Sequence, residues 1–204
     1  TAKALGRIAK SKTFDYGTVC AAEQSIIVEK SRESRVLEEG HKQGYYFMNE
    51  GEAAALGKLL FRPNGTLNPE VVGKSALHLA QMAGFQVPSG TRILVAREQE
   101  AGPSRPYSME KLCPVLAFYV MENEDAVLGK CIEILDHEGS GHTFSMHCED
   151  ETVIRRFAAK IPVSRFLVNT PAALGGIGAS TGLFPALTLG CGTVGGSSSS
   201  NNIS

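Results

Sequence analysis

The first cysteine of the chain, Cys20, stands in "FDYGTVCAAEQSIIVEK", between a turn-like Asp-Tyr-Gly and an apolar run with the character of a buried strand. A thiol at a loop-to-strand junction can open onto a cleft and be surrounded by backbone N–H groups, which is the setting of a nucleophile. By residue type alone, a lone cysteine is more often a small buried hydrophobe. Two further side chains could share its chemistry. His142 in "GSGHTFSMH" can take or give a proton near neutral pH, and Glu110 in "MEKLCPV" can accept from both hydroxyls of a diol. Each has a plainer reading, as a hydrogen-bonded histidine at a strand start and as a solvated loop acid. Of the other histidines, His147 alternates with apolar residues and reads as structural, His137 closes a helix and faces solvent, and His41 and His78 lie on helices without partners. Asn169 in "LVNTP" ends a strand and reads as fixing a turn.

These residues need a scaffold, and the pattern of the chain supplies strands alternating with helices. "AKALGRIAKSK", Arg32 to Gln43 and Glu50 to Phe61 have helical spacing, while Ser25 to Glu29 is strand-like. "NPEVVGKSALHLAQMAGF" reads as a helix opened by Asn68 and Pro69 and closed near Gly84. "RILVA", "VLAFYVM", "TFSMH" and "RFLVN" read as strands, with helical "EDAVLGKCIEILDHEG" and "EDETVIRRFAAK" between them. Such alternation predicts an α/β fold with an open, largely parallel sheet flanked by helices. From "NTPAALGGIG" onward the helical period is lost. The sequence divides into an α/β domain over residues 1–187 and a Gly/Ser-rich loop segment over 188–204 that reads as cut short. "GCGTVG" matches the dinucleotide fingerprint in letters only, because that fingerprint needs a strand before it, a helix after it and an acid further on, and serines follow instead.

With 204 residues, of which 43% are hydrophobic, the chain can bury one substantial core. Its 20 basic and 21 acidic residues are mixed along the length, which argues against nucleic acid and membrane surfaces as partners. No apolar run approaches a membrane span and the first residues lack a signal-peptide core, so the expected address is the cytoplasm. Five scattered cysteines without a CxxC pair or zinc spacing read as thiols in a reducing compartment, with no metal expected.

"FDYGTVCAAEQSIIVE" resembles the nucleophile segment of CoA-acylating aldehyde dehydrogenases, including the aldehyde dehydrogenase half of bifunctional aldehyde/alcohol dehydrogenases. "MEKLCPVLAFY", "GSGHTFSMH" and "RFLVNTPAALGGIG" running on to "LTLGCGTVGGSSSS" agree in the same order, so the resemblance covers nearly the whole chain. It implies the catalytic domain of that family and an NAD- or NADP-dependent oxidation of a small aldehyde to acyl-CoA. Cys20 would add to the aldehyde as a thiohemiacetal, and the thioester left after oxidation would pass to coenzyme A. The resemblance gives Glu110 to the nicotinamide ribose, makes His142 a candidate base, and sets Thr188 and Cys191 as acyl-pocket wall residues on a loop. It assigns packing to Cys113, which replaces a glycine of the hydrolytic relatives. It also implies a homo-oligomeric full-length protein, in the cytoplasm or in the lumen of a bacterial microcompartment.

The family's cofactor domain lies mainly before the nucleophile, where this sequence has only a short segment. A catalytic domain without its cofactor domain is the expectation, and such a chain alone is expected to fail as a dehydrogenase. Two other classes stay open at this level. A cysteine hydrolase or acyltransferase would use Cys20 with His142 and no nicotinamide, and a non-catalytic oligomerisation module would leave Cys20 no more reactive than the other thiols.

Overall fold

Strict alternation of side chains along the central strands decides the layering. The structure is a computed structural model in which residues 1–185 are described. Strands β1 (Ser25–Glu29), β2 (Tyr45–Phe47), β3 (Ile93–Arg97) and β4 (Val115–Met121) form one sheet in the order β1-β4-β3-β2, with every pairing parallel. Leu94 and Ala96 of β3 with Val115, Ala117 and Tyr119 of β4 face one side; Ile93, Val95, Leu116 and Phe118 face the other. Successive strand side chains must point to opposite faces, so these near-continuous apolar runs require a cover on both.

Two helices supply each cover. Helices α1 (Ala2–Lys12) and α2 (Glu33–Lys42) bring Leu5, Ile8 and Val36 to one face. Helices α3 (Glu50–Leu60) and α4 (Ala76–Met82) bring Leu56, Leu60 and Leu79 to the other. Helix α3 starts at a reciprocal cap, with Asn49 Oδ1 accepting from Glu52 N–H and Glu52 accepting from Asn49 N–H, both at 2.9 Å. A second, two-stranded parallel sheet pairs β5 (Thr143–Met146) with β6 (Arg165–Val168). Helices α5 (Glu124–His137) and α6 (Glu151–Ala158) pack a separate apolar cluster around Leu128, Cys131 and Phe157 against it.

The parallel α/β class therefore stands as expected, and several boundaries do not. The helix expected from Asn68 begins at Ser75, whose hydroxyl accepts from His78 N–H. Asn68 instead accepts from Glu70 N–H in a tight turn, and Gly73 takes a left-handed φ of 67°, which ends helical continuity before it starts. The three-residue β2 was not expected, nor was α7 (Ala172–Gly176) in the stretch read as having lost its period. Helix α7 is held from outside: its buried first-turn N–H groups at Ala172 and Ala173, which have no partner within the helix, go to the Glu23 carboxylate at 3.0 Å and the Ser11 hydroxyl at 2.8 Å. Those caps are 149 and 162 residues away in sequence, so no local signal announces them.

Leu116 has no exposed surface between the sheet and α1, whereas Leu77 on α4 is 41% exposed. Leu116→Ala is expected to lower the unfolding free energy by about 2–5 kcal/mol and Leu77→Ala by less than about 1 kcal/mol in urea titrations. Equal losses would show that β4 is not the centre of the core.

Candidate active site

Strands β1 and β4 are neighbours and parallel, so the loops that enter them lie side by side at one edge of the sheet. One of these loops carries Cys20 and the other Glu110. That adjacency is topological, and the local backbone makes it close.

After α1 the chain turns through Phe14–Gly17, with Asp15, Tyr16 and Gly17 all left-handed at φ of 46°, 50° and 80°. Non-glycine residues in that region are strained. The Thr18 hydroxyl donates to the Asp15 carboxylate at 2.5 Å and so holds the turn. At Gly17 a Cβ would stand 2.9 Å from the carbonyl carbon and oxygen of Cys113, so only glycine lets the two loops touch. Cys20 itself is half-buried, on a turn closed by Ala22 N–H donating to Val19 O at 2.8 Å. It lies five residues before β1, at the loop-to-strand junction the sequence indicates.

The Glu110 loop is held by lysines sealed from water. Lys111 and Lys12 have no exposed surface. Lys111 Nζ donates to the carbonyls of Tyr107 and Met109 at 2.6 and 2.7 Å, and Lys12 Nζ donates to Gln24 Oε1 at 3.3 Å. Burial pulls the Lys111 ammonium down to about 7, helped by the neighbouring Lys12 charge, and pulls Lys12 down to about 8. The carboxyl of Glu110 is pushed up, first by burial and then by Glu138, against the pull of Lys12 and Lys111. Its N–H donates to Glu138 at 3.2 Å. Three residues past Cys20, Glu23 is also pushed up by burial, although Ser11 and the Ala172 N–H lower it.

His142 precedes β5. Its ring Nε2 is buried without a hydrogen-bond partner, and burial together with Arg165 lowers its proton affinity. It is therefore held as a neutral imidazole, the form that can accept a proton. Helix α7 links this strand to the Cys20 turn. A Cβ at Gly176 would stand 2.9 Å from Ala21 Cβ and 3.9 Å from Thr143, the residue after His142.

Other expected residues fall as follows. Cys113 is fully buried and its thiol is raised to about 11 by burial, which fits packing rather than chemistry. Asn169, left-handed at φ 54°, fixes a turn: its amide donates to Cys148 O at 2.6 Å and its carbonyl accepts from Arg7 at 3.2 Å. His147 is half-buried with both ring nitrogens sequestered and unpartnered, and burial and the Arg7 charge lower it to about 4. His137 closes α5 as expected but is half-buried with a sequestered Nε2 rather than facing solvent. His41 has a partner after all, the Phe47 ring at 5.3 Å. Thr188 and Cys191 lie outside the described residues. Lys12, Lys111, Gln24 and Glu23 were not singled out in the sequence; two lysines and a glutamine without exposed neighbours look like ordinary solvated residues until the fold buries them.

No family model matches the chain. It is 37% identical over 210 residues to aldehyde-alcohol dehydrogenase 2 of Entamoeba histolytica, which covers 98% of this chain and 24% of that protein. The chain thus spans about a quarter of the length of the bifunctional relatives it matches. Among solved structures, a "probable aldehyde dehydrogenase" from Listeria monocytogenes is 55% identical with a TM-score of 0.95, over 99% of this chain and 45% of that one. An acetylating aldehyde dehydrogenase from Geobacillus thermoglucosidasius is 43% identical with a TM-score of 0.92, over 100% of this chain and 44% of that one.

The lowered Lys111 gives a measurable signature. An unfolded lysine titrates near 10.5 and the folded one near 7, so between those values the unfolded chain binds more protons and stability rises with pH. The slope from this group is at most about 1.4 kcal/mol per pH unit. Chemical unfolding at pH 7 and pH 9 is expected to show this gain in the wild type and a smaller one in Lys111→Met. An undiminished gain would mean that Lys111 keeps its proton in the fold.

Proposed function

The chain belongs to the acylating aldehyde dehydrogenases, and from that premise we propose that it is the catalytic domain, over residues 1–187, of an enzyme that oxidises a small aldehyde to acyl-CoA. The observation that carries the reading is the contact of the Cys20 loop with the Glu110 loop, made through Gly17 against the Cys113 carbonyl. It joins the loop that carries a half-buried thiol to the loop that carries a carboxyl raised by burial, which supports reading the two as parts of one site. A propionaldehyde dehydrogenase from Rhodopseudomonas palustris, 25% identical to this chain, was solved with CoA and an acylated cysteine, which supports the same role for Cys20.

In this reading Cys20 Sγ, as thiolate, attacks the aldehyde carbon, and the C=O pair moves onto oxygen to give a thiohemiacetal. The N–H of Cys20 is a candidate donor to that oxyanion. NAD or NADP, when bound, supplies the hydride acceptor. On loss of hydride the C=O bond re-forms and leaves a thioester on Cys20. The thiolate of CoA then attacks this thioester carbon, and the C–S bond to Cys20 breaks. Glu110 fits the ribose: a carboxylate already short of water gains from two hydroxyl donors, and Lys12 and Lys111 oppose the rise that burial and Glu138 impose on its carboxyl. His142, kept neutral by burial, takes the CoA thiol proton. No described helix is long and apolar enough to cross a membrane, and the cytoplasm is the proposed site of action.

In the enzyme joined to its nicotinamide-binding part, Cys20→Ala is expected to abolish acyl-CoA formation, measured by absorbance of NADH and by chromatography of the thioester. Appreciable turnover would move the chemistry to another residue, and ester hydrolysis by the wild type without nicotinamide would favour a hydrolase. His142→Ala is expected to slow CoA-dependent acyl release about 10²-fold or more while sparing the single-turnover burst of NADH, as read in rapid-mixing kinetics. Equal losses in both steps would make His142 a residue that orients the whole site.

A further inference from the structure

One side chain bonds to groups of three segments that meet near the Cys20 turn, the end of α1, the turn itself and the Glu110 loop. The Gln24 carbonyl oxygen accepts from Lys12 Nζ at 3.3 Å and from the backbone N–H of Lys111 at 3.1 Å. Its amide nitrogen donates to Ala22 O at 3.4 Å, and its own backbone carbonyl accepts from Ala117 N–H at 3.1 Å as β1 pairs with β4. Lys12 ends α1, Ala22 closes the Cys20 turn, and Lys111 follows Glu110 directly. Gln24 is half-buried, so its bonds are short of competing water.

This arrangement differs from an ordinary loop bond. Lys111 Nζ is occupied by Tyr107 and Met109 O, so the Glu110 loop is shaped from within, and beside the Gly17 contact with Cys113 its hydrogen-bonded link to the Cys20 side runs through the backbone N–H that Gln24 receives. Leu112, next in the chain, is left-handed at φ 44°, a strained conformation that persists only where surrounding contacts hold it, and the Gln24 bond to Lys111 N–H is one such contact. The loop therefore moves with Gln24, and Gln24 is covalently four residues from Cys20.

We infer that Gln24 is a positioning residue: it sets the spacing between the Cys20 thiol and the Glu110 carboxylate, and so the alignment of the thiohemiacetal with the nicotinamide. The inference deepens the acylating dehydrogenase reading and rests on it. Hydride transfer is sensitive to placement, with losses near a hundredfold for a displacement of about 1 Å.

The test compares Gln24→Met, which keeps length and removes every polar bond of the side chain, with Gln24→Glu, which keeps an oxygen for Lys12 and for the Lys111 N–H. In the full-length enzyme, single-turnover NADH formation separates the two possible roles, since amplitude counts folded sites and the rate constant reports alignment. The expected result is a rate constant about 10- to 100-fold lower in Gln24→Met, with most of it restored in Gln24→Glu. A wild-type rate constant in Gln24→Met, or a Glu variant as slow as Met, overturns the inference. Hydrogen exchange read by mass spectrometry gives a second arm: the Lys111 amide is expected to exchange faster in Gln24→Met, and unchanged exchange overturns the tie. Wild-type enzyme that makes no NADH from aldehyde overturns the oxidation reading, and exchange then still decides whether Gln24 joins the two loops.

Discussion

Two lysines sealed from water set the terms for everything around the candidate thiol. An ammonium without solvent needs either hydrogen-bond acceptors or the loss of its proton, and Lys111 is placed for both. As an amine it still has two N–H groups, which match the two carbonyls of Tyr107 and Met109. The loop before β4 must therefore curl around Nζ, and this curl presents Glu110. Lys12 makes the same demand at the end of α1, and Gln24 meets it while also receiving Lys111 N–H. The polar knot is thus a device that gives an otherwise irregular loop one shape.

The sheet explains why these loops meet. In a parallel sheet all strands begin at the same edge, so the segments entering neighbouring strands are neighbours too. Cys20 precedes β1, Glu110 precedes β4, and β1 pairs along its whole length with residues 117–121 of β4. His142 precedes β5 in the smaller sheet, and α7 carries the connection by packing Gly176 against Ala21 and near Thr143. Backbone strain gathers at the same place, in Asp15, Tyr16 and Leu112. Strained backbone persists where surrounding contacts over-determine it. Here the Thr18 bond to Asp15 and the Gly17 approach to Cys113 supply those contacts.

The charges also divide labour between the loops. Glu23 and Glu110 are both raised by burial and both feel the Lys12 charge, but Glu23 is bonded by α7 and Ser11 whereas Glu110 faces Lys111 and Glu138. Glu23 spends its carboxylate on the first-turn N–H of Ala172 and so serves the scaffold. Glu110 is tied to Glu138 through its backbone N–H.

The sequence by itself determined the strands that carry the core, and it determined Cys20. "SIIVE" and "VLAFYVM" are strands to the residue, because alternation and β-branched content are local properties. The turn before Cys20 was legible for the same reason, since Asp-Tyr-Gly is turn chemistry read from adjacent residues. Tertiary structure decided the rest. Helix α7 exists because Glu23 and Ser11 cap it from the far end of the chain, and the expected helix at Asn68 fails because Gly73 turns left-handed and donates to Leu112 O at 3.1 Å. Lys12, Lys111 and Gln24 carry no local mark at all. A charged or amide side chain reads as solvated until distant segments close over it, and burial is a property of the packed fold rather than of any window of sequence.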